Sequence, residues 1–239
     1  MSFPGLTRYG LRTVIVLTMI TAGVVLLIAA AAAAWGWPAW LAEILPAAFF
    51  VWVLVFFRDP DRQAPEGEHL FVSPADGRVA DITLIGEDSP LGCRGVKIGI
   101  FMNVVNVHVN RAPLSGRVER VEHHAGAFMD VRRPAAFERN ESTSIFITHI
   151  CQDEEYPVVV RQVAGLLARR IVTDLEVGQT ILRGQRIGMI KFGSRLELMV
   201  PDNLVGEMCV KVGMRVFAGE TVLLEAAWAS RGAAPGESR

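Results

Sequence analysis

The chain has 239 residues, 51% of them hydrophobic, with 24 Lys and Arg against 25 Asp and Glu for a net charge of -1. That length allows one good core plus an extra segment. With no basic tail and with cations scattered among as many anions, nucleic acid is excluded as a partner. Cys93, Cys151 and Cys209 are far apart and odd in number, with neither zinc spacing nor a disulfide framework. They read as reduced, buried small hydrophobes.

The apolar excess lies at the front. Thr13 to Ala34 carries no charge and would measure about 33 Å as a helix, enough for a bilayer core of roughly 30 Å. Leu41 to Phe57 is a second apolar run, with Glu43 near its start and Pro46 one turn later, and Trp35, Trp37, Pro38 and Trp40 between the runs supply a turn with interfacial aromatics. Residues 1–57 therefore read as a transmembrane helical hairpin. Arg8 and Arg12 precede the first run, Arg58 and Arg62 follow the second, and the connecting loop has no Lys or Arg. The positive-inside rule then places both ends in the cytoplasm. A cleaved signal peptide is disfavoured by the length of the first run and by the second one behind it. A buried helical hairpin is the competing reading, and Glu43 fits it.

Residues 58–64, RDPDRQA, form a polar, proline-broken linker into a domain over 65–239. That domain is predicted to be mainly β, in the α+β class once the helical hairpin is counted. Val79 to Ile85, Val96 to Ile100, Ser144 to Thr148 and Tyr156 to Val163 are short β-branched runs between Gly, Pro, Asn and Asp. Arg186 to Pro201 is a longer strand-like run. VGQTILRGQRI from Val177 and VGMRVFAGETV from Val212 share V-G-x5-G-x2-[IV], 35 residues apart. The pattern suggests a glycine-rich β barrel or sandwich with an internal repeat like the small barrels of biotinyl and lipoyl carriers. Coincidence between two hairpins is the other explanation.

Within the long run, FGSRLELMVP holds Gly193 and Ser194. A serine hydroxyl against the preceding carbonyl can attack it, shift the acyl group from nitrogen to oxygen and, after elimination, leave dehydroalanine that hydrolyses to a pyruvoyl group. Most Gly-Ser pairs are simply turns. In LFVSPADGRV, Asp76 sits at a strand end before Gly77, again a common turn. In FMNVVNVHVNRAP, alternation sends Asn106, His108 and Asn110 to one strand face. His108 there is either poised for proton transfer or a satisfied structural histidine. His123 and His124 point to opposite faces of a strand, and His69 and His149 lack ligand-like neighbours, so no metal site is expected.

Taken together, PADG at Pro74–Gly77, NVHVNRAP at Asn106–Pro113, ERNES at Glu138–Ser142 and FGSRLELMVP at Phe192–Pro201 resemble phosphatidylserine decarboxylase in its short bacterial and archaeal form. RDPDR behind an apolar hairpin also looks like that family's amino-terminal region. The resemblance implies cleavage between Gly193 and Ser194, giving a β chain of residues 1–193 and an α chain of 194–239. It implies that Ser194 becomes a covalent pyruvoyl cofactor, with His108 and Asp76 as its base and acid partners in an arrangement defined by roles. Longer members carry LGST at the cleavage site and a second histidine where this chain has Arg111. Arg111, and Arg139 of the ERNES motif, are candidate phosphate ligands.

The implied reaction is decarboxylation of phosphatidylserine to phosphatidylethanolamine. The pyruvoyl carbonyl would condense with the substrate amine and act as the electron sink. A membrane anchor suits a substrate whose acyl chains stay in the leaflet. The implied location is the cell membrane, with the catalytic domain on its cytoplasmic face. Phospholipid and membrane are the expected partners of the self-cleaved heterodimer, and a higher homo-oligomer stays open. Two alternatives remain: decarboxylation of an archaeal-type or other phosphoserine lipid, and a membrane-tethered carrier module. For the carrier, Lys191 lies in a strand-like run rather than at a hairpin tip.

Overall fold

The computed structural model describes residues 5–35, 37–129, 139–151, 154–165, 170–191 and 194–228. The chain divides into two compact units, Met1–Asp61 and Arg62–Arg239. In the first, a 3-10 turn over Arg8–Gly10 leads into α1, Leu11–Trp35, and a second 3-10 stretch, Trp37–Glu43, leads into α2, Ile44–Phe56. Pro46 falls in the first turn of α2, where an amide has no intrahelical acceptor, so the proline does not break the helix. The stretch Arg8–Ala34 is long and apolar enough to cross a membrane, whereas Trp40–Phe56 is a shorter apolar helix. The start of α1 and the end of α2 meet: Thr7 N–H donates to the Phe57 carbonyl at 2.9 Å, and Asp59 N–H to that of Gly5 at 2.8 Å.

The second unit is mainly β. Its strands are β1 Leu70–Val72, β2 Gly77–Ile85, β3 Gly95–Met102, β4 Val109–Arg111, β5 Gly116–His124, β6 Ser142–Cys151, β7 Glu154–Val163, β8 Arg170–Val172, β9 Thr180–Ile181, β10 Arg186–Lys191, β11 Ser194–Pro201, β12 Val205–Met208, β13 Arg215–Val216 and β14 Val222–Ala226. They form one eight-stranded sheet, in the order β13-β2-β3-β11-β7-β6-β5-β9, and two three-stranded sheets, β1-β14-β12 and β4-β10-β8. One core cluster joins all three sheets, with Ile98, Ile100, Leu196 and Leu198 from the large sheet, Phe71 and Leu224 from the first small one and Ile187 and Ile190 from the second.

The large sheet consists of two similar halves that meet where β11 pairs antiparallel with β7. In one half, Val79 N–H donates to the Met214 carbonyl and Gly213 N–H to that of Val79. In the other, Val118 donates to Gln179 and Gly178 to Val118. Gly213 and Gly178 have φ of 90° and 85°, a left-handed conformation that explains glycine in both copies of the repeat. The repeated segments thus supply the edge strands β9 and β13 at opposite ends of one curled sheet. The structure also reveals a second repeat, P-x2-G-R-V, at Pro74–Val79 and Pro113–Val118.

Three sequence expectations are corrected. The run Arg186–Pro201 is two strands in different sheets: β10 pairs with β4 and β8, and β11 with β3 and β7. Asn106 and His108 precede β4 instead of alternating along it, because residues 103–106 close a turn. There Asn106 N–H donates to the Asn103 carbonyl and Asn103 N–H to Asn106 Oδ1. The cysteines are not fully buried: Cys93 and Cys151 are half-buried and Cys209 is exposed, all as free thiols.

Candidate active site

β11 is buried along its whole length, in the middle of the large sheet, and its alternation decides what each residue meets. Leu196, Leu198 and Val200 enter the core. Arg195 and Glu197 face the other way into a cluster of charges. Arg195 makes a bidentate pair with Asp81 at 2.5 and 2.8 Å and donates from Nε to Glu197 at 3.0 Å. Lys97 and Arg161 lie 3.8 and 3.7 Å from the same Glu197 carboxylate. Burial opposes the Arg195 charge, but the hydrogen bond to Asp81 and the Glu197 and Asp81 charges outweigh it and raise its pKa. A Cβ at Gly99 would lie 2.0 Å from the Arg195 guanidinium, so this glycine makes the room that the buried cation occupies.

Ser194, the first residue of β11, is fully buried opposite Met102 on β3, and its hydroxyl donates to the Met102 sulfur at 3.4 Å. The Asn110 amide approaches that sulfur at 3.8 Å, and its oxygen accepts from Gln162 at 2.8 Å. Ser194, Met102, Asn110 and Gln162 thus form one buried polar cluster drawn from β11, β3, β4 and β7. His108 is fully buried just before β4, and its Nδ1–H donates to the Asn106 carbonyl at 2.9 Å. That bond fixes the ring and leaves Nε2 as the basic nitrogen of the neutral tautomer.

Asp76 stands at the entrance to β2, and all its partners differ from the one expected. Its Oδ1 accepts from Arg62 at 2.5 Å and from Ala218 N–H at 2.9 Å, and its Oδ2 accepts from Arg62 at 3.0 Å. Among the described residues, neither Asp76 nor Ser194 is hydrogen-bonded to His108. The three expected partners belong to adjoining walls: Gly77 packs on the Phe101 carbonyl, the residue after Phe101 receives the Ser194 hydroxyl, and the turn following it holds His108. Gly193 and Phe192 lie outside the described residues, as does Glu138.

Arg62 is the residue that sequence reasoning missed, since it reads as linker. Its side chain is only 7% exposed, also donates to the Ala218 carbonyl at 2.8 Å, and approaches Glu220 at 3.6 Å. Its only signal in the sequence is its place in RDPDR. Of the two candidate phosphate ligands, Arg111 adjoins the loop that carries Asp76, its N–H donating to the Pro74 carbonyl at 2.9 Å. Arg111 is buried and donates to the Gly184 carbonyl at 3.0 Å. Arg139 is exposed, and its carbonyl accepts from Ala127. Asn140 beside it is a buried tie, exchanging bonds with the Met129 backbone and donating to the Ala164 carbonyl. Among the described residues no group of three or more His, Cys, Asp or Glu could hold a metal ion.

The profile of the family described as Phosphatidylserine decarboxylase matches residues 48–224, which include Asp76, His108 and Ser194. The chain belongs to the phosphatidylserine decarboxylase family. As a member it is a carboxy-lyase. A protein of Syntrophus aciditrophicus is 41% identical over 184 residues, 77% of this chain and 84% of its own length. One of Azorhizobium caulinodans is 42% identical over 178 residues, 73% of this chain and 74% of its own. One of Rhodopirellula baltica is 38% identical over 217 residues, 90% of this chain and 85% of its own. All three bear the name phosphatidylserine decarboxylase proenzyme.

Proposed function

We propose that the chain is a membrane-held proenzyme that splits itself between Gly193 and Ser194 and then decarboxylates phosphatidylserine to phosphatidylethanolamine. The observation that carries this reading is Ser194, wholly buried at the start of β11 in a polar cluster with Asn110, which lies two residues along the chain from the buried His108. A serine kept merely as a turn residue would face solvent.

In maturation, His108 Nε2 takes the Ser194 hydroxyl proton, Oγ attacks the Gly193 carbonyl, and the peptide becomes an ester. Loss of the Ser194 α-proton with cleavage of the Cβ–Oγ bond releases a carboxylate at Gly193. Water then converts dehydroalanine at 194 into a pyruvoyl group and ammonia. The products are the β chain, 1–193, and the α chain, 194–239. Asp76 supplies negative charge at the β2 entrance, where Arg62 and Ala218 hold it. The residues fit the group, because position 194 is fully buried and shares the Met102 sulfur with the Asn110 amide, whose oxygen accepts from Gln162. Once formed, a pyruvoyl carbonyl supplies the electron sink that decarboxylating an α-amino acid requires. His108 then delivers a proton to the α-carbon of the product, while the buried walls of Met102 and Leu196 exclude water.

The first unit, Met1–Asp61, would hold the enzyme in the membrane as a hairpin of α1 and α2. Met19, Leu26 and Leu27 are exposed, and such an apolar surface suits lipid. Arginines at both ends and none in the connection support a catalytic unit on the cytoplasmic face. Intact mass tests the reading. Active protein is expected to give two fragments with the smaller one blocked at its amino terminus, and Ser194→Ala one full-length, inactive chain. Splitting of Ser194→Ala would remove Ser194 from this role. His108→Ala and Asp76→Asn are expected to slow processing, and unaltered splitting in both would remove the acid–base assignment.

A further inference from the structure

We propose that the catalytic unit docks onto an anionic lipid leaflet through a patch formed by Arg78, Arg215, Val105 and Phe217, a reading that rests on the membrane-held decarboxylase above. Arg78 and Arg215 are opposite each other where β13 pairs with β2. Both are exposed on the outer face of the sheet, since their strand neighbours Val79 and Val216 enter the core. Like charges in that position destabilise a sheet unless something neutralises them. Among the described residues neither has a carboxylate within salt-bridge distance.

Two apolar side chains border these cations. Val105, in the turn over residues 103–106, is 59% exposed and lines one depression of about 240 Å³ together with both arginines. Phe217 is 38% exposed, and the centre of its ring lies 5.1 Å from the Arg215 guanidinium and 6.0 Å from that of Arg62. Apolar groups beside uncompensated arginines suit the boundary of an anionic bilayer, where the former insert and the latter stay among the headgroups. Chain connectivity points to the same occupant. Residues 57–61 alone separate α2 from Arg62, and a stretch of that length spans at most about 20 Å. With α2 in the bilayer, Arg62 and the Phe217 ring beside it stay close to one leaflet, whose phosphatidylserine supplies the negative charge that the arginines lack. The patch also adjoins the candidate site. Phe217 precedes Ala218, whose N–H binds Asp76, and the turn that carries Val105 accepts from His108 through the Asn106 carbonyl.

The other half of the sheet supplies an internal control. By the register of the two repeats, Leu182 occupies the place of Phe217, Arg117 that of Arg78 and Thr180 that of Arg215. Leu182 is exposed as well. Arg117, however, pairs across the strands with the uncharged Thr180 and is neutralised by Glu119 at 2.8 Å. An exposed apolar group is common to both halves, and the uncompensated arginine pair occurs only in the half that carries Asp76.

The test uses the full-length protein, reconstituted in phosphatidylcholine vesicles that carry phosphatidylserine, and in detergent with dihexanoyl phosphatidylserine dispersed as monomers. Compared with the unmutated chain are the pairs Arg78→Gln with Arg215→Gln and Val105→Ser with Phe217→Ser, and the control Leu182→Ser. On vesicles the apparent KM, expressed as the surface fraction of phosphatidylserine, should rise about fivefold for each lost arginine, and it should also rise for the apolar pair. Splitting at 193–194 should proceed normally, kcat and the KM for monomers should stay within about twofold, and Leu182→Ser should match the unmutated protein on both substrates. The cations are also tested without any substitution: about 1 M NaCl, where the screening length is about 3 Å, should reproduce the arginine losses on vesicles and add little to the arginine variant. No loss on vesicles, an equal loss on monomers, or an equal effect of Leu182→Ser would overturn the docking patch. A smaller detergent-solubilised particle in the Val105→Ser, Phe217→Ser variant would make the patch an interface between copies and overturn it as well. Failure of the underlying reading would appear separately, as splitting or activity in Ser194→Ala or as release of the whole unmutated protein from vesicles by alkaline carbonate.

Discussion

Replacing Arg62 by Met tests whether the supposed linker is built into the catalytic unit. The substitution keeps an apolar stem but removes both bonds to Asp76, whose side chain is 5% exposed against 7% for that of Arg62. Asp76 would retain only the Ala218 N–H. Breaking a buried ion pair by removing one partner costs about 3–5 kcal/mol, because the remaining charge stays desolvated. For a unit of this size each kcal/mol lowers Tm by roughly 2–4 °C, so a fall of about 10 °C is expected. The measurement is thermal unfolding followed by circular dichroism, with Ser194→Ala as the background to keep one chain. Asp76→Asn in that background should also destabilise, and the double variant should cost less than the sum by about 2 kcal/mol or more. Strictly additive losses, or an Arg62→Met protein that melts with its parent, would refute the claim that the pair is a buried structural tie.

Gly99→Ala should push the Arg195 guanidinium off Asp81 and Glu197, since the new Cβ would lie 2.0 Å from it. The expected cost is roughly 3 kcal/mol, toward the low end for a buried pair because Asp81 is partly exposed. Unfolding would check it, and adding Arg195→Met should reduce the cost of the alanine. The thiols give a pH test. Partial burial, then Asp202 and Glu87, raise the pKa of Cys93; partial burial, then Glu68, raises that of Cys151. Only the thiolate reacts, so at pH 7.5 both should alkylate more slowly than a free cysteine and accelerate only at more alkaline pH than it does. Mass spectrometry of iodoacetamide-treated protein across pH 7–10 reads this, and reaction at the free-thiol rate would contradict it.

Sequence periodicity located β2, β3, β6 and β7 because their β-branched alternation is a local property. It failed at Asn106 and His108, where an asparagine turn overrides alternation. It also merged β10 with β11, since two strands continuous in sequence look alike even when they join different sheets. Arg62 was misread for a related reason: Pro and Asp around it signal a polar linker, and only the Asp76 carboxylate brought against it by the fold gives it a burial site.

By itself the sequence determined the apolar front, the β character of the remainder, the family resemblance and the identities of Ser194, His108 and Asp76 as candidates. Those follow from residue type and short-range order. Tertiary structure decided which distant residues meet: Arg62 with Asp76, Arg78 with Arg215, and Ser194 and Asn110 at the Met102 sulfur. The contacts between strands depend on register across the folded sheets, where a one-residue slip would send those side chains to the opposite face, while Arg62 and Asp76 lie outside the strands and meet because the folded chain brings its entry segment back to the start of β2.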